Sequence, residues 1–498
     1  MWSKENLKGA LSRETSTGLR HGNPIFPQNT PMRAEQNELL TRIGPGAPCG
    51  TLMRQYWQPV ALLDEFDAAL DPAMGLRPVK AVRVLGQDLV LFKDASGAFG
   101  LLDRDCPHRG ADLSFGRRES LDQGGGLRCP FHGWKFAPNG QCLQTPAEPA
   151  DSKLCQSVKQ RSYPMVEKAG VLFGWFGEPG SVPPPLPEFD CFKAPASHSF
   201  AFKGLWNCNW LQAFEVGIDP AHPSFLHVFF EDESLTQTGD NKAGRQFRSG
   251  SAGEINGERW PMSRIMREFN QPQITVEPTD VGMRLTALRP MTEALTHVRV
   301  THAVFPHTFV IPLSETSTIT QIHLPLDDTH TYWYSIFTSF AGPLDQAAMR
   351  NQRLKANPAP DYLPVSGRHN AWGFNAAEQQ HKTFLGMGEE DINVHDQWAC
   401  ESMGSIADRT REHLGTSDKA IIANRRLLTQ AIEAVQAGRP APGVADAALA
   451  ASASGPDTVD GIAPAGNWEG FWRATAAAKR AGAAWLQGSQ HARKDMAP

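Results

Sequence analysis

Cysteine is sparse in this chain of 498 residues, with eight in all, at positions 49, 106, 129, 142, 155, 191, 208 and 400. So wide a scatter excludes a disulfide framework as the source of stability. Long apolar runs are missing too: a stretch such as Val171 to Phe176 falls far short of the roughly 20 residues a membrane helix needs. The opening segment, MWSKENLKGALSRETSTGLRHG, has no continuous apolar stretch. That predicts no secretory signal and a cytoplasmic protein. Charge of one sign is concentrated nowhere; Lys and Arg number 48 against 53 Asp and Glu, for a net charge of -5. Without a basic block, nucleic acid is excluded as the main partner. No G-x-G-x-x-G follows a predicted strand and no second set of four cysteines occurs, so flavin, nicotinamide and further cluster sites are not expected. No internal repeat is evident.

What is present divides into four parts. Residues 1–35 are polar, carry Pro24, Pro27 and Pro31, and are expected to form an arm. Residues 36–180 begin with EQNELLTRIGPGAPCGTLMRQYWQPVAL, a short helix, a Gly/Pro turn and a second helix. The alternating segments VKAVRVLG, DLVLFKD and AFGLLD then predict an all-β unit with a turn at Asp94-Ala95-Ser96-Gly97. It closes at YPMVEKAGVLFGWFG, and the Pro-rich SVPPPLPEF marks the boundary. Residues 181–440 gather their strands in the middle, as in ITVEPTDVGMRLTALRP and THVRVTHAVFPHTFVIPL, with helices on either side. That pattern predicts an α+β class with an antiparallel sheet. Ile421, Leu428, Ile432 and Val435 share one face of a helix that ends before Gly438-Arg439-Pro440. Residues 441–498 read as an Ala/Gly/Pro-rich linker and a helical tail. Trp468, Trp472 and Trp485 in that tail are expected either to pack on a neighbouring subunit or to ride on a free extension.

The strongest chemical signal is Cys106-Pro107-His108 followed by Cys129-Pro130-Phe131-His132. Two thiolates and two imidazoles suit either a zinc ion or a [2Fe-2S] cluster with two cysteines on one iron and two histidines on the other. In the second case each short loop must supply one ligand of each type, and C-x-H with C-x-x-H does so. The surrounding CPHRGADLS and CPFHGWKF resemble the two cluster-binding loops of Rieske proteins, including the Gly133-Trp134 after the last ligand. The resemblance implies a [2Fe-2S] Rieske cluster on Cys106, His108, Cys129 and His132.

A second constellation follows in WNCNWLQAFEVGIDPAHPSFLH, where Asp219, His222 and His227 are spaced D-x2-H-x4-H. Taken alone, this spacing also arises by chance. On an ideal helix a spacing of five leaves the two histidines roughly 140° apart, so convergence requires a distortion, for which Pro223 is well placed. Together with the upstream loops, the motif resembles the iron site of Rieske non-haem iron ring-hydroxylating oxygenases, specifically the terminal oxygenase alpha subunits of the phthalate dioxygenase-like branch. LTRIGPGAPCGTLMRQYWQPV and INVHDQWACESMGSIADRTREHLGTSDKAII extend the resemblance to about residues 36–436. It implies a helix-grip (START-like) catalytic domain holding mononuclear Fe(II) on His222, His227 and Asp396, the acid five residues before Glu401. Two imidazoles and a carboxylate on one face leave positions open for dioxygen. Asp391 and Asp408 are the competing third ligands. Asp219 also reads as a helix cap or a solvated carboxylate. The resemblance instead implies a catalytic role, bridging His132 of one subunit and His222 of the next in a head-to-tail homotrimer.

The implied activity is oxygenation of a small aromatic substrate, an aromatic acid by analogy, through ring hydroxylation or oxidative dealkylation. Electrons would come from a separate NAD(P)H-dependent reductase, with or without a ferredoxin. Gln273 stands where the branch is expected to carry an arginine, and Arg284 and Arg289 read as solvated strand ends. Phe305, Phe309 and Ile311 share one face and suit a pocket wall and ordinary core packing alike. Two other classes remain in view, an electron-transfer Rieske protein without a competent mononuclear iron and a zinc-stabilised binding protein.

Overall fold

The computed structural model describes residues 32–66, 78–232, 251–388, 392–444 and 454–491. The expected N-terminal arm therefore lies almost wholly outside the described residues. Helices α1 (Ala34–Thr41) and α2 (Pro48–Met53) flank the Gly/Pro turn as the sequence predicts, with Pro48 at the first position of α2, where its missing N–H is harmless.

Three small antiparallel sheets follow. One has the order β1 (Trp57–Leu62), β10 (Val171–Trp175), β9 (Met165–Lys168). The second is β2 (Val79–Val84), β3 (Gln87–Lys93), β4 (Phe99–Asp103). The third is β5 (Arg117–Arg118), β6 (Leu127–Arg128), β7 (Lys135–Phe136), β8 (Cys142–Gln144). The predicted turn at Asp94 forms because its Oδ1 accepts from the Ser96 and Ala98 N–H groups. The β2–β3 hairpin turns through Leu85 and Gly86, at φ 52° and 73°, the positive-φ pair of a type I′ turn. Leucine pays about 1–2 kcal/mol there. In return Leu85 is buried, and the Leu85 and Gly86 N–H groups donate to the carbonyls of Pro325 and Leu326 across the domain boundary. A buried ion pair pins the same boundary: Glu65, after β1, meets Lys203 at 2.7 Å and also Lys80.

The second domain is built on one antiparallel sheet. Its order is β11 (Ser199–Trp206), β19 (Thr331–Ser339), β18 (Ser317–Pro325), β17 (Thr308–Ser314), β16 (Leu295–Val304), β15 (Gly282–Pro290), β14 (Gln273–Thr279). Helix α3 (Trp210–Gly217) and helix α4 (Asn393–Ser402) pack together on one side of the site. Gly217 closes α3, where any side chain would meet the Phe309 ring at 1.8 Å. Helix α5 (Lys419–Gln436) buries the predicted Ile421, Leu428 and Ile432. A separate hairpin, β12 (Ser251–Ile255) with β13 (Glu258–Pro261), lies outside the main sheet.

The C-terminal segment departs from its expectation. Strand β20 (Val459–Pro464) pairs with β16 over Leu295–Val300 and becomes the eighth strand of the main sheet. Helix α6 (Trp468–Gly482) lies on β20, and Trp472 is buried against Val298, Val300 and Val459 of its own chain. Trp468 joins that cluster and Trp485 packs on Phe340. The tryptophans thus cover this chain's own sheet, because β16 offers an unpaired edge beyond its short ladder with β17.

Candidate active site and metal centres

The two cysteine loops fold alike. The Cys106 N–H donates to Ala111 O and the Cys129 N–H to Trp134 O, each at 2.8 Å, so each loop closes on the residue five positions on. Both reverse through a glycine in the left-handed region, Gly110 at φ 71° and Gly133 at φ 75°, where a side chain would be strained. The result buries the two thiols and leaves the two imidazoles half-buried at the tip, their centroids 4.5 Å apart. His108 stacks on Trp134 at 4.5 Å with 6° between planes, which fixes its ring. Burial, reinforced by the neighbouring Cys129, pushes the Cys106 thiol up to about 11. Such a thiol stays protonated in water alone, and metal binding displaces its proton. A buried sulfur pair beneath a surface imidazole pair fits the asymmetric donor set of a Rieske [2Fe-2S] cluster.

The second constellation converges across three segments. After α3 the chain makes a 3-10 turn at His222–Ser224, then leaves helical geometry at Phe225. This is the distortion that the five-residue spacing demands, and it brings the His222 and His227 rings to 5.2 Å. The Nδ1–H of His222 donates to the carbonyl of Asp219 at 2.7 Å, and Nδ1 of His227 meets Nδ1 of His395 at 3.3 Å. Each Nε2 is thereby left to face Asp396 Oδ1 of α4, at 3.7 Å from His222 and 3.2 Å from His227. One ligand atom from each of the three residues lies within 4.8 Å of the others. Asp396 Oδ1 is itself buried and has no hydrogen-bond partner. An orphaned carboxylate oxygen between two imidazole nitrogens fits a bound divalent cation. Burial alone would raise the Asp396 pKa, but His227 and His222 outweigh it and hold the group ionised, while burial lowers the His222 pKa. Ionised carboxylate with neutral imidazole is the state metal binding requires.

The competing acids fall elsewhere. Asp408 caps a turn by accepting from Thr410 N–H and Oγ–H. Asp391 lies outside the described residues. Glu401 is spent on structure, accepting from Asn207, Gln397 and the Trp372 indole. Asp219 stands beside the site, but its expected carboxylate contact to His222 is made by its main-chain carbonyl instead. The reason is local: Oδ1 of Asp219 is committed to the Ala221 N–H at 2.8 Å.

A cavity of about 110 Å³ opens from His222, His227 and Asp396 into the sheet. Phe309, Ile311, Ile319 and Phe337 line it, whereas Phe305 lines a separate cavity with Tyr56 at the domain boundary. The arginines singled out in the sequence do not face it. Arg284 pairs with Glu277 and lies over the Trp472 ring. Arg289 is no solvated strand end: it is fully buried and donates to Pro220 O and Ser224 Oγ, clamping the turn that carries His222. Gln273 is exposed at the start of β14. The cations that do line the cavity are Arg299 and Arg353, with Gln321. Sequence reasoning missed both arginines. A charge at the centre of the alternating strand THVRVTHAV was a usable signal for Arg299; Arg353 sits in an ordinary charged helix, Gln346–Ala356, and had none.

Comparison with known proteins finds two family matches along the chain. Residues 57–164 match the Rieske [2Fe-2S] domain family, and residues 175–481 match the family described as LigXa C-terminal domain like. The second match runs through β20 and nearly to the end of α6. The phthalate 4,5-dioxygenase oxygenase subunit of Pseudomonas putida is 33% identical over 430 residues, covering 83% of this chain and 89% of that protein. The 3-chlorobenzoate-3,4-dioxygenase oxygenase subunit of Comamonas testosteroni is 31% identical over 436 residues, covering 83% and 92%. Among solved structures, NdmB of Pseudomonas putida CBB5 shares the fold, with a TM-score of 0.50 at 19% identity over 82% of this chain and 97% of that one.

Proposed function

Because the chain belongs to the Rieske non-haem iron oxygenases as a terminal oxygenase subunit, we propose that it oxygenates a small aromatic acid at an iron held by His222, His227 and Asp396. Cys106, His108, Cys129 and His132 hold the cluster in this reading. The observation that carries it is the buried, unpartnered Asp396 Oδ1 facing two imidazole Nε2 atoms. When bound, the cluster supplies electrons received from a separate reductase, and the Fe(II) supplies the place where dioxygen is activated.

The chain's own residues do the rest. Asp219 O and His395 Nδ1 accept hydrogen bonds from the outer Nδ1–H groups, so both iron-facing nitrogens present lone pairs. The apolar walls exclude water and hold the ring. Arg299 is already paired with Asp460, so Arg353 is the cavity cation that favours a carboxylate on that ring, which supports the aromatic-acid reading despite Gln273. Ring hydroxylation and oxidative dealkylation share this machinery and differ in which carbon the cavity presents. An electron-transfer protein with a degenerate second domain has no use for a converging His222, His227 and Asp396.

The same reading extends to assembly. Phe115 and Phe131 are exposed near the cluster tip, and a cleft of about 600 Å³ beside Asp219 and His222 exposes Phe225, Phe384 and Met403. The tip of one copy docking into the cleft of the next makes a head-to-tail contact that closes as a ring of three. Asp219 would then lie between His222 and His132 of the partner subunit. No helix among the described residues is long and apolar enough to cross a membrane. None of the eight cysteines is disulfide-bonded, which favours a reducing cytoplasm.

Purified protein should contain one iron per chain beyond the cluster and, with a reductase and labelled dioxygen, should place label in an aromatic acid. Asp396→Ala and His227→Ala should each lose that iron and the activity while keeping the cluster's visible absorption. Full activity in Asp396→Ala would sink the assignment.

A further inference from the structure

Two thiols outside both donor sets face each other beneath the cluster loops. Cys142 opens β8, Cys155 lies in the single helical turn Leu154–Ser157, and their Sγ atoms are 3.5 Å apart. Cys155 Sγ also points at the carbonyl of Cys142, at 3.3 Å. Cys142 is buried in the apolar cluster that contains Cys106, Cys129, Trp134 and Phe136, whereas Cys155 is half-exposed. We propose that Cys142 and Cys155 form a second redox site, a dithiol that hydrogen peroxide converts to a disulfide.

The geometry asks for little. A disulfide needs its sulfurs at about 2.05 Å, an approach of roughly 1.5 Å that side-chain rotation can supply. The chemistry divides the work by exposure. The Cys155 sulfur attacks one peroxide oxygen; the O–O bond breaks and the departing hydroxide takes the thiol proton as water, leaving a sulfenic acid. The Cys142 sulfur then attacks Cys155 Sγ; the S–S bond forms, the S–O bond breaks, and hydroxide leaves with the Cys142 proton as a second water. One peroxide and two thiols yield one disulfide and two waters. The chain also supplies an internal control. Cys208 and Cys400 are in contact as well, but both are wholly buried and no peroxide reaches them.

The test treats the intact holoenzyme with hydrogen peroxide, follows cluster absorption, removes the peroxide, then unfolds the protein, alkylates the remaining thiols and maps tryptic peptides by mass. The expected result is the loss of two alkylatable thiols, those of Cys142 and Cys155. Phe136–Lys153 should be joined to Leu154–Lys159, the pair separating on reduction, while Cys208 and Cys400 stay alkylatable and cluster absorption persists. In Cys142→Ser the resolving thiol is gone, so Cys155 should accumulate as a sulfenic acid that dimedone captures. In Cys155→Ser, Cys142 should remain a thiol under the same treatment. A cross-link through Cys106 or Cys129, equal oxidation of Cys208 and Cys400, or an uncaptured and still alkylatable Cys155 in Cys142→Ser would each overturn the proposal.

Discussion

Nδ1 of His227 lies 3.3 Å from Nδ1 of His395, and the two rings stack with centroids 5.4 Å apart. Nε2 of His395 faces the carbonyl of Gly388 at 3.0 Å. A carbonyl only accepts, so this nitrogen carries the proton of a neutral His395 and its Nδ1 is an acceptor. His227 must then donate from Nδ1 and turn its Nε2 lone pair toward Asp396. His395 therefore selects the tautomer a metal needs. It precedes Asp396 directly in α4, so one helical turn supplies both a proposed ligand and the group that aligns another.

His395→Ala removes that acceptor. Losing such an outer partner costs about 10–100-fold in metal affinity, and Fe(II) titration of iron-depleted protein against a competing chelator should show a loss of that size. Cluster absorption should not change. Unaltered Fe(II) affinity would mean the ring contact is packing alone.

Asp460 of β20 holds two groups of β16, accepting from His297 Nε2 at 3.0 Å and from Arg299 Nη1. Burial raises its pKa, but His297 and Arg299 outweigh that and bring it down to about 2 from an ordinary 3.8. A depressed folded pKa stabilises fully above 3.8 and loses that stabilisation as pH falls toward 2. Asp460→Asn leaves the buried Arg299 uncompensated, at a cost of about 3–5 kcal/mol. Denaturant unfolding should show that gap at pH 7 and a smaller one at pH 3. An equal gap at both would mean the carboxylate charge is not what matters.

Arg353 reaches the proposed substrate cavity from the helix Gln346–Ala356. A charge-assisted hydrogen bond is worth about 1.5–3 kcal/mol, so Arg353→Gln should weaken binding of an aromatic acid roughly 10–150-fold. Binding of the corresponding neutral amide should barely change. Equal losses for both ligands would assign Arg353 to shaping the wall rather than reading charge.

These groups differ in how far they could be read from residue order. The proposed cluster ligands sit two and three residues apart within single loops, and the glycines that turn those loops follow within two residues. His222 and His227 are also local, and their awkward spacing correctly demanded the break now seen at Phe225. Asp396 was reachable only through resemblance, because nothing local joins α4 to the end of α3. The direction of an arginine is a tertiary property. Arg289 and Arg299 come from neighbouring strands, yet one clamps the His222 turn and the other faces the cavity. Strand β20 was hidden for another reason: VDGIAP has little intrinsic strand character and follows low-complexity sequence. Pairing with the open stretch of β16 makes it a strand.

Asp219→Asn offers the sharpest separation of roles. The His222 Nδ1–H donates to the main-chain carbonyl of residue 219, which this substitution leaves in place. The Asn side-chain oxygen can still accept from the Ala221 N–H, so the turn itself should persist. Both iron sites should therefore load normally, and dithionite should still reduce the cluster. What disappears is the negative charge at the wall of the cleft proposed to receive the tip of the next copy. If that charge engages His132 of the partner subunit, it aligns the donor imidazole with His222 and electron transfer across the contact depends on it. Single-turnover oxidation of the reduced, substrate-bound variant by dioxygen should then slow by orders of magnitude while iron content and melting temperature stay at wild-type values. A turn-capping aspartate predicts the opposite, since Asn caps as well as Asp. Wild-type rates of cluster oxidation in Asp219→Asn would remove the bridge and leave the ring of three to rest on the exposed aromatic surfaces alone.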